Sequence, residues 1–266
     1  MNHNINFSEV NAIETLYPLK QAWLQSLHNA QDGMWETFRD QAEHWAIKDG
    51  QILVGYACID NDHQLIQFYL SPSYHSNGAA IFQDFIQTAA IETGIVGTNN
   101  PIYLSLALNF VQNIRVHTYL FRDSAPVSIP EKEGILHLAQ LADLDKIVEF
   151  YVHSIGAPKP WLNNYVGNRI QDGELFYFEN HNTIIGTCEV RKSPTNPIVA
   201  DIGMAIAPEF RKQGYGTYLL HQAKLIAQGL GKEPICSCEK ENLGSFKSIS
   251  NSGFNSLSQL LEIEFI

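Results

Sequence analysis

The stretch Ile206-Ala-Pro-Glu-Phe-Arg-Lys-Gln-Gly-Tyr-Gly-Thr-Tyr218 decides how this 266-residue chain is interpreted. A β-rich run precedes it, and a run with helical spacing of apolar residues follows it. The first N–H groups of a helix lack intrahelical partners and point outward with the positive end of the helix dipole. Gly214 and Gly216 let such a backbone approach an anion closely, and Arg211 and Lys212 add positive charge. The junction is therefore a candidate phosphate site.

Two better-known phosphate motifs do not fit this sequence. It contains no Gly-x-x-x-x-Gly-Lys-Ser/Thr, which excludes a P-loop. The run Gly214-Tyr-Gly-Thr-Tyr-Leu219 lacks the third glycine of the dinucleotide fingerprint. Neither a nucleoside triphosphate nor NAD is favoured.

The deciding stretch has a second, weaker copy earlier in the chain. Leu70-Ser-Pro-Ser-Tyr-His-Ser-Asn-Gly-Ala-Ala-Ile-Phe82 aligns with it without gaps. The matched positions are Pro72 with Pro208, Tyr74 with Phe210, Gly78 with Gly214 and Ala80 with Gly216. Further along, Asn109 leads to Leu120-Phe121 at the spacing at which Asn242 leads to Gly253-Phe254.

We therefore predict two copies of one α/β unit, with domains at residues 1–127 and 128–266. The proline-containing segment Arg122 to Glu133 suits a linker between them. In the first copy His75-Ser76-Asn77 replaces the basic part of the loop, so we expect that domain to be degenerate.

Periodicity places the elements of the second copy. The predicted strands are 134–138, 175–178, 184–190, 198–207, 235–239 and 254–265, and the predicted helices are 142–152, 160–170, 215–228 and 243–252. Interspersed strands and helices of this kind indicate an α/β or α+β sheet covered by helices.

Composition narrows the function classes. Apolar residues make up 45% and charged residues 17%, which is typical of a compact globular chain. The net charge of −11, from 17 basic and 28 acidic residues, disfavours nucleic acid and anionic membrane surfaces as partners. An acidic field mildly favours cationic small molecules such as amines, and it is equally an ordinary solubility charge.

The polar N-terminus shows no signal peptide, and no apolar stretch is long enough for a membrane span. Cys58, Cys188, Cys236 and Cys238 fall in predicted strands. Metal ligation by the last pair with a histidine is one interpretation, but no second pair has a zinc spacing, so buried free thiols and no metal are expected. A reducing compartment, the cytoplasm, fits this cysteine usage.

The order strand, Arg211-x-x-Gly214-x-Gly216, helix, strand, Asn242 and Gly253-Phe254 resembles the GNAT superfamily of N-acetyltransferases, from about Gly134 to the C-terminus. The resemblance implies tandem mixed, largely antiparallel twisted sheets, each with a splayed strand pair and flanking helices. It implies that the loop binds the pyrophosphate of acetyl-CoA and that the strand before it binds the pantetheine arm. The implied cofactor-binding residues are Met204, Ala205, Ile206, Arg211, Lys212, Gln213, Gly214, Tyr215, Gly216, Thr217 and Asn242, with Ile235, Cys236 and Ser237 on the neighbouring strand.

The sequence departs from the family at the general acid. Members that use a tyrosine carry it seven residues after the asparagine, where this chain has Ile249. Isoleucine cannot protonate a departing thiolate. Ser248 and Ser250 flank it and are interpreted as surface serines. Holding the amine against the thioester can supply much of the acceleration without that acid.

An attacking amine must be neutral, so a base or a water chain has to remove a proton near neutral pH. Asp201 and Glu189 are the candidate bases, and both are also open to a structural interpretation. The resemblance implies an acceptor site formed by the first two helices and the final strands. Its candidate residues are Tyr151, Trp161 and Tyr165, together with His153 and Asn164.

The sequence thus predicts an acyl-CoA-dependent N-acetyltransferase that transfers acetyl to a primary amine of a small molecule by direct attack, working as a monomer or homodimer. The alternative is an acyl-CoA-binding regulatory or interaction protein without turnover, which Ile249 keeps open. A structural protein with neither function is disfavoured because the second loop keeps its glycines and its charges.

Overall fold

The computed structural model of the protein describes residues 4–28, 30 and 33–266. The chain forms two compact units, one of residues 1–119 with 258–266 and the other of residues 120–257. We name them the N-terminal unit and the C-terminal unit. The sequence placed the division after residue 127 and assigned the whole C-terminus to the second domain, so the two descriptions differ at residues 120–127 and at the last nine residues.

The N-terminal unit is a sheet covered by helices. Its strands pair in the order β1-β2-β3-β4-β5, antiparallel except for β4 and β5. The elements that begin in it are β1 (Ile5–Glu9), α1 (Tyr17–Ser26), α2 (Gly33–Gln41), β2 (Glu43–Asp49), β3 (Ile52–Ile59), β4 (Gln64–Leu70), α3 (Gly78–Thr88), β5 (Thr93–Gly97), α4 (Pro101–Ala107) and β6 (Val111–Asp123). Its aromatic core includes Phe68, Phe82, Phe85 and Tyr103.

The C-terminal unit repeats this plan with the strand order β11-β10-β9-β8-β7. Its elements are β7 (Ile135–Leu138), α5 (Leu144–Ile155), α6 (Lys159–Gln171), β8 (Leu175–Asn180), β9 (Thr183–Lys192), β10 (Val199–Ile206), α7 (Tyr215–Gly229), β11 (Glu233–Glu239), α8 (Leu243–Asn251) and β12 (Phe254–Phe265). Each predicted strand and helix of this copy is present, with bounds shifted by three residues at most. The predicted fold class is confirmed.

A splayed strand pair opens the sheet of the C-terminal unit. β10 and β11 are parallel and pair only from Val199 to Asp201, opposite Glu233 to Ile235. On its other side β10 stays paired with β9 as far as Ile206 opposite Gly186. The last five residues of β10 therefore extend beyond the paired part of β11, beside a gap.

The last nine residues belong to the N-terminal unit because the end of β12 pairs with a strand of that unit. Leu260 to Glu264 pair antiparallel with Gly97 to Thr93 of β5, inside the N-terminal unit. Ile263 and Phe265 are buried in its core, where Phe265 packs edge-on against Phe82 at 5.7 Å between ring centroids. A strand pattern shows which side chains are buried but not which sheet receives them, so sequence alone could not make this assignment.

Both copies of the internal repeat have an asparagine helix cap, but the cap of the first copy is not the asparagine that the sequence alignment matched. Asn242 caps α8, because its side-chain oxygen accepts from Ser245 N at 3.0 Å. In the first copy Asn100 caps α4 in the same way, accepting from Tyr103 N at 3.3 Å. Asn109 lies after α4, so the sequence match of Asn109 with Asn242 was wrong.

Within the described ranges, none of the helices combines the length and the apolar character that a membrane span requires.

Candidate cofactor and acceptor site

The loop after β10 has the backbone geometry of an anion nest. Pro208–Phe210 form a short 3₁₀ turn, and Lys212 (φ +61°) and Gly214 (φ +85°) then take left-handed conformations before α7 begins. A tight turn with left-handed residues can direct successive N–H groups toward one side, which makes a concave anion site. The free N–H groups and dipole of the α7 start add to it. The predicted phosphate loop therefore has a backbone conformation suited to phosphate.

The two glycines of this loop have different structural roles. At Gly214 the positive φ strains any residue with a Cβ. At Gly216 a Cβ would lie 2.9 Å from Ser248 Oγ, so the start of α7 packs closely against α8. Gly214 thus allows the left-handed turn before the helix, and Gly216 allows the first turn of α7 to pack closely against α8.

Arg211 ties the loop to its surroundings. Its Nε donates to Ile206 O at 3.1 Å, and its Nη2 donates to Ser154 O at 2.6 Å. The guanidinium thereby joins the end of β10 to the last turn of α5. Sequence reasoning treated this residue as positive charge for the pyrophosphate, and the structure adds a positioning role. Gln213 is tied back as well, since its Nε2 donates to Glu209 O at 3.0 Å.

Sequence reasoning missed Lys132, which lies at the loop. It comes from the segment before β7, and its Nζ donates to Gln213 O at 2.9 Å. The ammonium lies 5.1 Å from the ring centroid of Tyr215. Next to it, Glu131 accepts from Tyr218 OH at 3.1 Å, and burial together with Glu131 raises the pKa of Tyr218 to about 12. Nothing in the sequence singled out this segment, because it was interpreted as linker.

The open edge of β10 carries Met204, Ala205 and Ile206, the predicted pantetheine contacts. Gly186 on β9 permits close packing there, because a Cβ on it would lie 2.6 Å from Ile206 Cδ1. On β11, Ile235 and Cys236 are buried and Ser237 is half-buried. Asn242 Oδ1 is used as a helix cap, and its predicted contact with the cofactor arm stays a prediction.

Acetyl-CoA has an anionic diphosphate and an amide-bearing arm, and the site matches both features. The nest and the start of α7 suit the diphosphate. The edge of β10 beyond Asp201 runs past the end of its pairing with β11 and suits hydrogen bonds with the amides of the arm. The residues present therefore fit the cofactor that the sequence implied.

A buried polar cluster lies on one face of β9 and β10, centred on Glu189. Tyr151 OH donates to Glu189 Oε1 at 2.8 Å, and Tyr165 OH donates to Oε2 at 2.5 Å. Arg191 Nη1 also donates to Oε2, at 3.2 Å. Glu189 is only 7% exposed, so these donors compensate for its lost hydration.

The second candidate base, Asp201, belongs to the same cluster. It is 3% exposed, and its Oδ2 accepts from Arg191 Nη2 at 2.7 Å. Burial alone would lower the pKa of Arg191, but Asp201 and Glu189 together raise it well above its usual value. Burial and Glu189 raise the pKa values of Tyr151 and Tyr165, so both remain neutral donors.

The structure separates the predicted acceptor residues into two groups. Tyr151 and Tyr165 reach the cluster from α5 and α6, and Trp161 stacks on Tyr165 with 4.9 Å between ring centroids while staying 53% exposed. His153 is exposed and lies 3.1 Å from Glu209, outside the cluster, and Asn164 is exposed. Sequence reasoning missed Arg191; its position two residues after Glu189 places both side chains on one face of a strand, which could have found it.

The α8 position where some relatives carry a tyrosine is apolar and closed. Ile249 is 3% exposed. Ser248 faces Gly216 of α7, as its distance to the ideal Cβ of that glycine shows, and Ser250 is exposed. Four buried cysteines carry free thiols, as expected, and burial raises the pKa of Cys238 to about 11. In the residues described, no three His, Cys, Asp or Glu side chains group as metal ligands.

Comparisons with known proteins agree with this geometry. Residues 12–124 match the family described as acetyltransferase (GNAT) domain, and residues 138–254 match the acetyltransferase (GNAT) family. A solved acetyltransferase from the GNAT family of Colwellia psychrerythraea is 27% identical with a TM-score of 0.93, covering 98% of this chain and 100% of its own. None of the curated proteins matches the chain.

Two more distant structures share the fold over the full length. A GCN5-related N-acetyltransferase from Sphaerobacter thermophilus is 15% identical with a TM-score of 0.68, covering 98% of this chain and 95% of its own. A tandem GNAT protein from the clavulanic acid biosynthesis pathway is 14% identical with a TM-score of 0.66, covering 98% of both chains.

The chain belongs to the GNAT acetyltransferases and carries two of their domains in tandem. The cofactor of this family is acetyl-CoA, which supplies an acetyl group activated as a thioester.

Proposed function

We propose that the C-terminal unit transfers acetyl from acetyl-CoA to a primary amine of a small molecule by direct attack. One observation carries this proposal. The open edge of β10 leads from the phosphate loop to a face on which Glu189, Asp201, Tyr151 and Tyr165 converge. Donor and acceptor can therefore meet at one strand.

The charge balance of the cluster supports an amine as the acceptor. Glu189 and Asp201 place two carboxylates on this face, and both contact Arg191. Carboxylates in a poorly hydrated site attract an ammonium ion and disfavour an acid. The stacked rings of Trp161 and Tyr165 offer a surface for cation–π or apolar contact with the rest of the acceptor.

In the proposed mechanism Glu189 receives a proton from the bound ammonium, directly or through water, which frees the lone pair for attack on the thioester carbonyl. The C–N bond forms, the nitrogen releases its second proton to water, and the C–S bond breaks to give the amide and the CoA thiolate. Arg191 and the two tyrosines hold the Glu189 carboxylate in place. Solvent protonates the departing thiolate, since Ile249 cannot.

The second candidate function is acyl-CoA binding without turnover. Two observations favour it, the apolar Ile249 and the saturation of Glu189 by three donors. Turnover of an acceptor decides between the two candidates.

The test is release of free CoA thiol from acetyl-CoA with a panel of primary amines, with matched carboxylic acids and alcohols as negative acceptors. We expect amine-dependent release by the wild type and at least tenfold lower kcat with unchanged acetyl-CoA affinity for Glu189→Gln. Acetyl-CoA binding without release on any amine would instead establish the second candidate.

A further inference from the structure

We propose that Lys132 is a charge-supplying contact for the diphosphate of CoA, delivered by the segment that precedes β7. The proposal rests on the cofactor site within the proposed function. It adds a residue that lies outside the Arg211 to Gly216 loop and before the first strand of the C-terminal unit.

The loop's own cations leave a need for such a contact. Arg211 is engaged with Ile206 O and Ser154 O, at 3.1 and 2.6 Å. Lys212 extends from a left-handed backbone position and is exposed, so solvent screens its charge. In a chain of net charge −11, a further fixed positive charge at this loop would favour a dianionic group beyond what the backbone N–H groups and the helix dipole supply.

Lys132 is held where that charge is needed. Its Nζ lies 2.9 Å from Gln213 O and 3.5 Å from the position that a Cβ would take on Gly214. The ammonium also faces the ring of Tyr215, the first residue of α7. A half-buried lysine whose ammonium is fixed by a hydrogen bond and a ring loses less entropy on binding an anion than a free surface lysine.

The ammonium of Lys132 has enough hydrogen-bond donors to contact a phosphate as well. It has three N–H donors, of which one is directed at Gln213 O. The other two can reach an anion that approaches the backbone of Gly214, which carries no side chain of its own. Charge-assisted bonds from lysine to phosphate are about twice as strong as neutral ones.

The chain offers a matched control in Lys232. This lysine follows the other end of α7, and its Nζ also donates to a backbone carbonyl, that of Pro197. Lys232→Met removes the same charge and one comparable hydrogen bond away from the loop. Lys132→Gln keeps a donor for Gln213 O and removes only the charge.

The experiment is calorimetric titration of the full chain with CoA and with acetyl-pantetheine at low and high NaCl. We expect Lys132→Gln and Lys132→Met to weaken CoA binding about tenfold at low salt, with a smaller difference at high salt. Lys132→Arg and Lys232→Met should stay within twofold of the wild type, and acetyl-pantetheine binding should not change in any variant.

Equal CoA affinity of wild type and Lys132→Gln at low salt would overturn the proposal, as would an equal loss in Lys232→Met. A wild type that fails to bind CoA would remove the cofactor site and Lys132 with it. A Lys132 effect on CoA binding without acetylation of any amine would leave this proposal standing and overturn only the proposed function.

Discussion

The strand pair β3–β4 of the N-terminal unit corresponds to the pair β9–β10 of the C-terminal unit, but matching faces of the two pairs carry different kinds of side chain. Gly55 opposite Leu70 in the N-terminal unit corresponds to Gly186 opposite Ile206 in the C-terminal unit, which fixes the register between them. In that register Tyr56, Cys58, Gln67 and Tyr69 occupy the positions of Thr187, Glu189, Gly203 and Ala205. Large side chains fill most of the first face, and Gln67 Nε2 donates to Tyr56 OH across it. The second face keeps small residues around a carboxylate.

The loop after β4 in the N-terminal unit also differs from the phosphate loop after β10 in the C-terminal unit. In the N-terminal unit Pro72–Asn77 form a continuous 3₁₀ helix that runs into α3, and Gly78 has φ −57°. His75 Nε2 contacts Leu70 O at 2.9 Å, as Arg211 Nε contacts Ile206 O at 3.1 Å in the other unit. The contact that ties the loop to its strand is thus kept, whereas the left-handed residues of the nest are not. A fold can retain the anchoring of a site while losing its anion-binding backbone.

The largest effect that we expect from exchanging residues between the two units is at Gly203. Gly203→Gln copies Gln67 into the face that carries Glu189 and Asp201, our proposed acceptor site, where the nearest atom to a new Cβ is Arg191 Nη2 at 3.7 Å. The longer side chain should displace the acceptor, and we expect a loss of about 100-fold in kcat/KM for the amine. Acetyl-CoA affinity, measured by calorimetry, should be nearly unchanged.

Gln67→Gly, the reverse exchange in the N-terminal unit, is the matched control and should leave turnover unaffected. Full activity of Gly203→Gln would show that the acceptor does not use this face, and equal losses in both variants would show that both units contribute to turnover.

The smaller test of the comparison concerns the two aligned glycines. Gly214→Ala places a Cβ at φ +85°, which costs about 1–3 kcal/mol, whereas Gly78→Ala lies at a helical φ. We expect acetyl-CoA binding about ten- to 100-fold weaker for Gly214→Ala and unchanged for Gly78→Ala. Calorimetry with fitted stoichiometry measures both. A second site per chain, or a loss at Gly78, would mean that the N-terminal unit also binds the cofactor.

Sequence predicted much of this because the evidence was local. The glycines and prolines around Ile206 to Tyr218 set the end of β10, the turn and the start of α7, and the structure has them within a residue. The roles of Arg211 and Lys132 were not predictable in the same way. Each depends on a carbonyl or loop distant in sequence, at Ser154 and Gln213 respectively.

The remaining surprises are tertiary. β12 satisfies the strand pattern in any sheet, and only packing shows that Leu260 to Phe265 join the N-terminal unit. The match of Asn109 with Asn242 failed because Leu120-Phe121 lies near the end of β6, whereas Gly253-Phe254 lies at the start of β12. That Asp201 and Glu189 share Arg191 likewise depends on strand register, which propensity does not set.

The smallest expected effect concerns His44, whose position shows a further difference between the units. It pairs with Cys58 on β3, whereas the corresponding partner of Glu189 on β9 is Leu175. His44 is 2% exposed, and burial, with a contribution from Lys20, lowers its pKa. The unfolded chain binds a proton near the ordinary histidine pKa of about 6.5, and the folded chain binds it only at lower pH. The free energy of unfolding should therefore fall as pH drops below about 6.5.

His44→Leu, which copies Leu175, should reduce that acid sensitivity of the N-terminal unit, measured by thermal unfolding and amide exchange between pH 7.5 and 5.5. Identical pH dependence in the variant and the wild type would mean that His44 is protonated equally in both states and that this buried position contributes nothing to acid sensitivity.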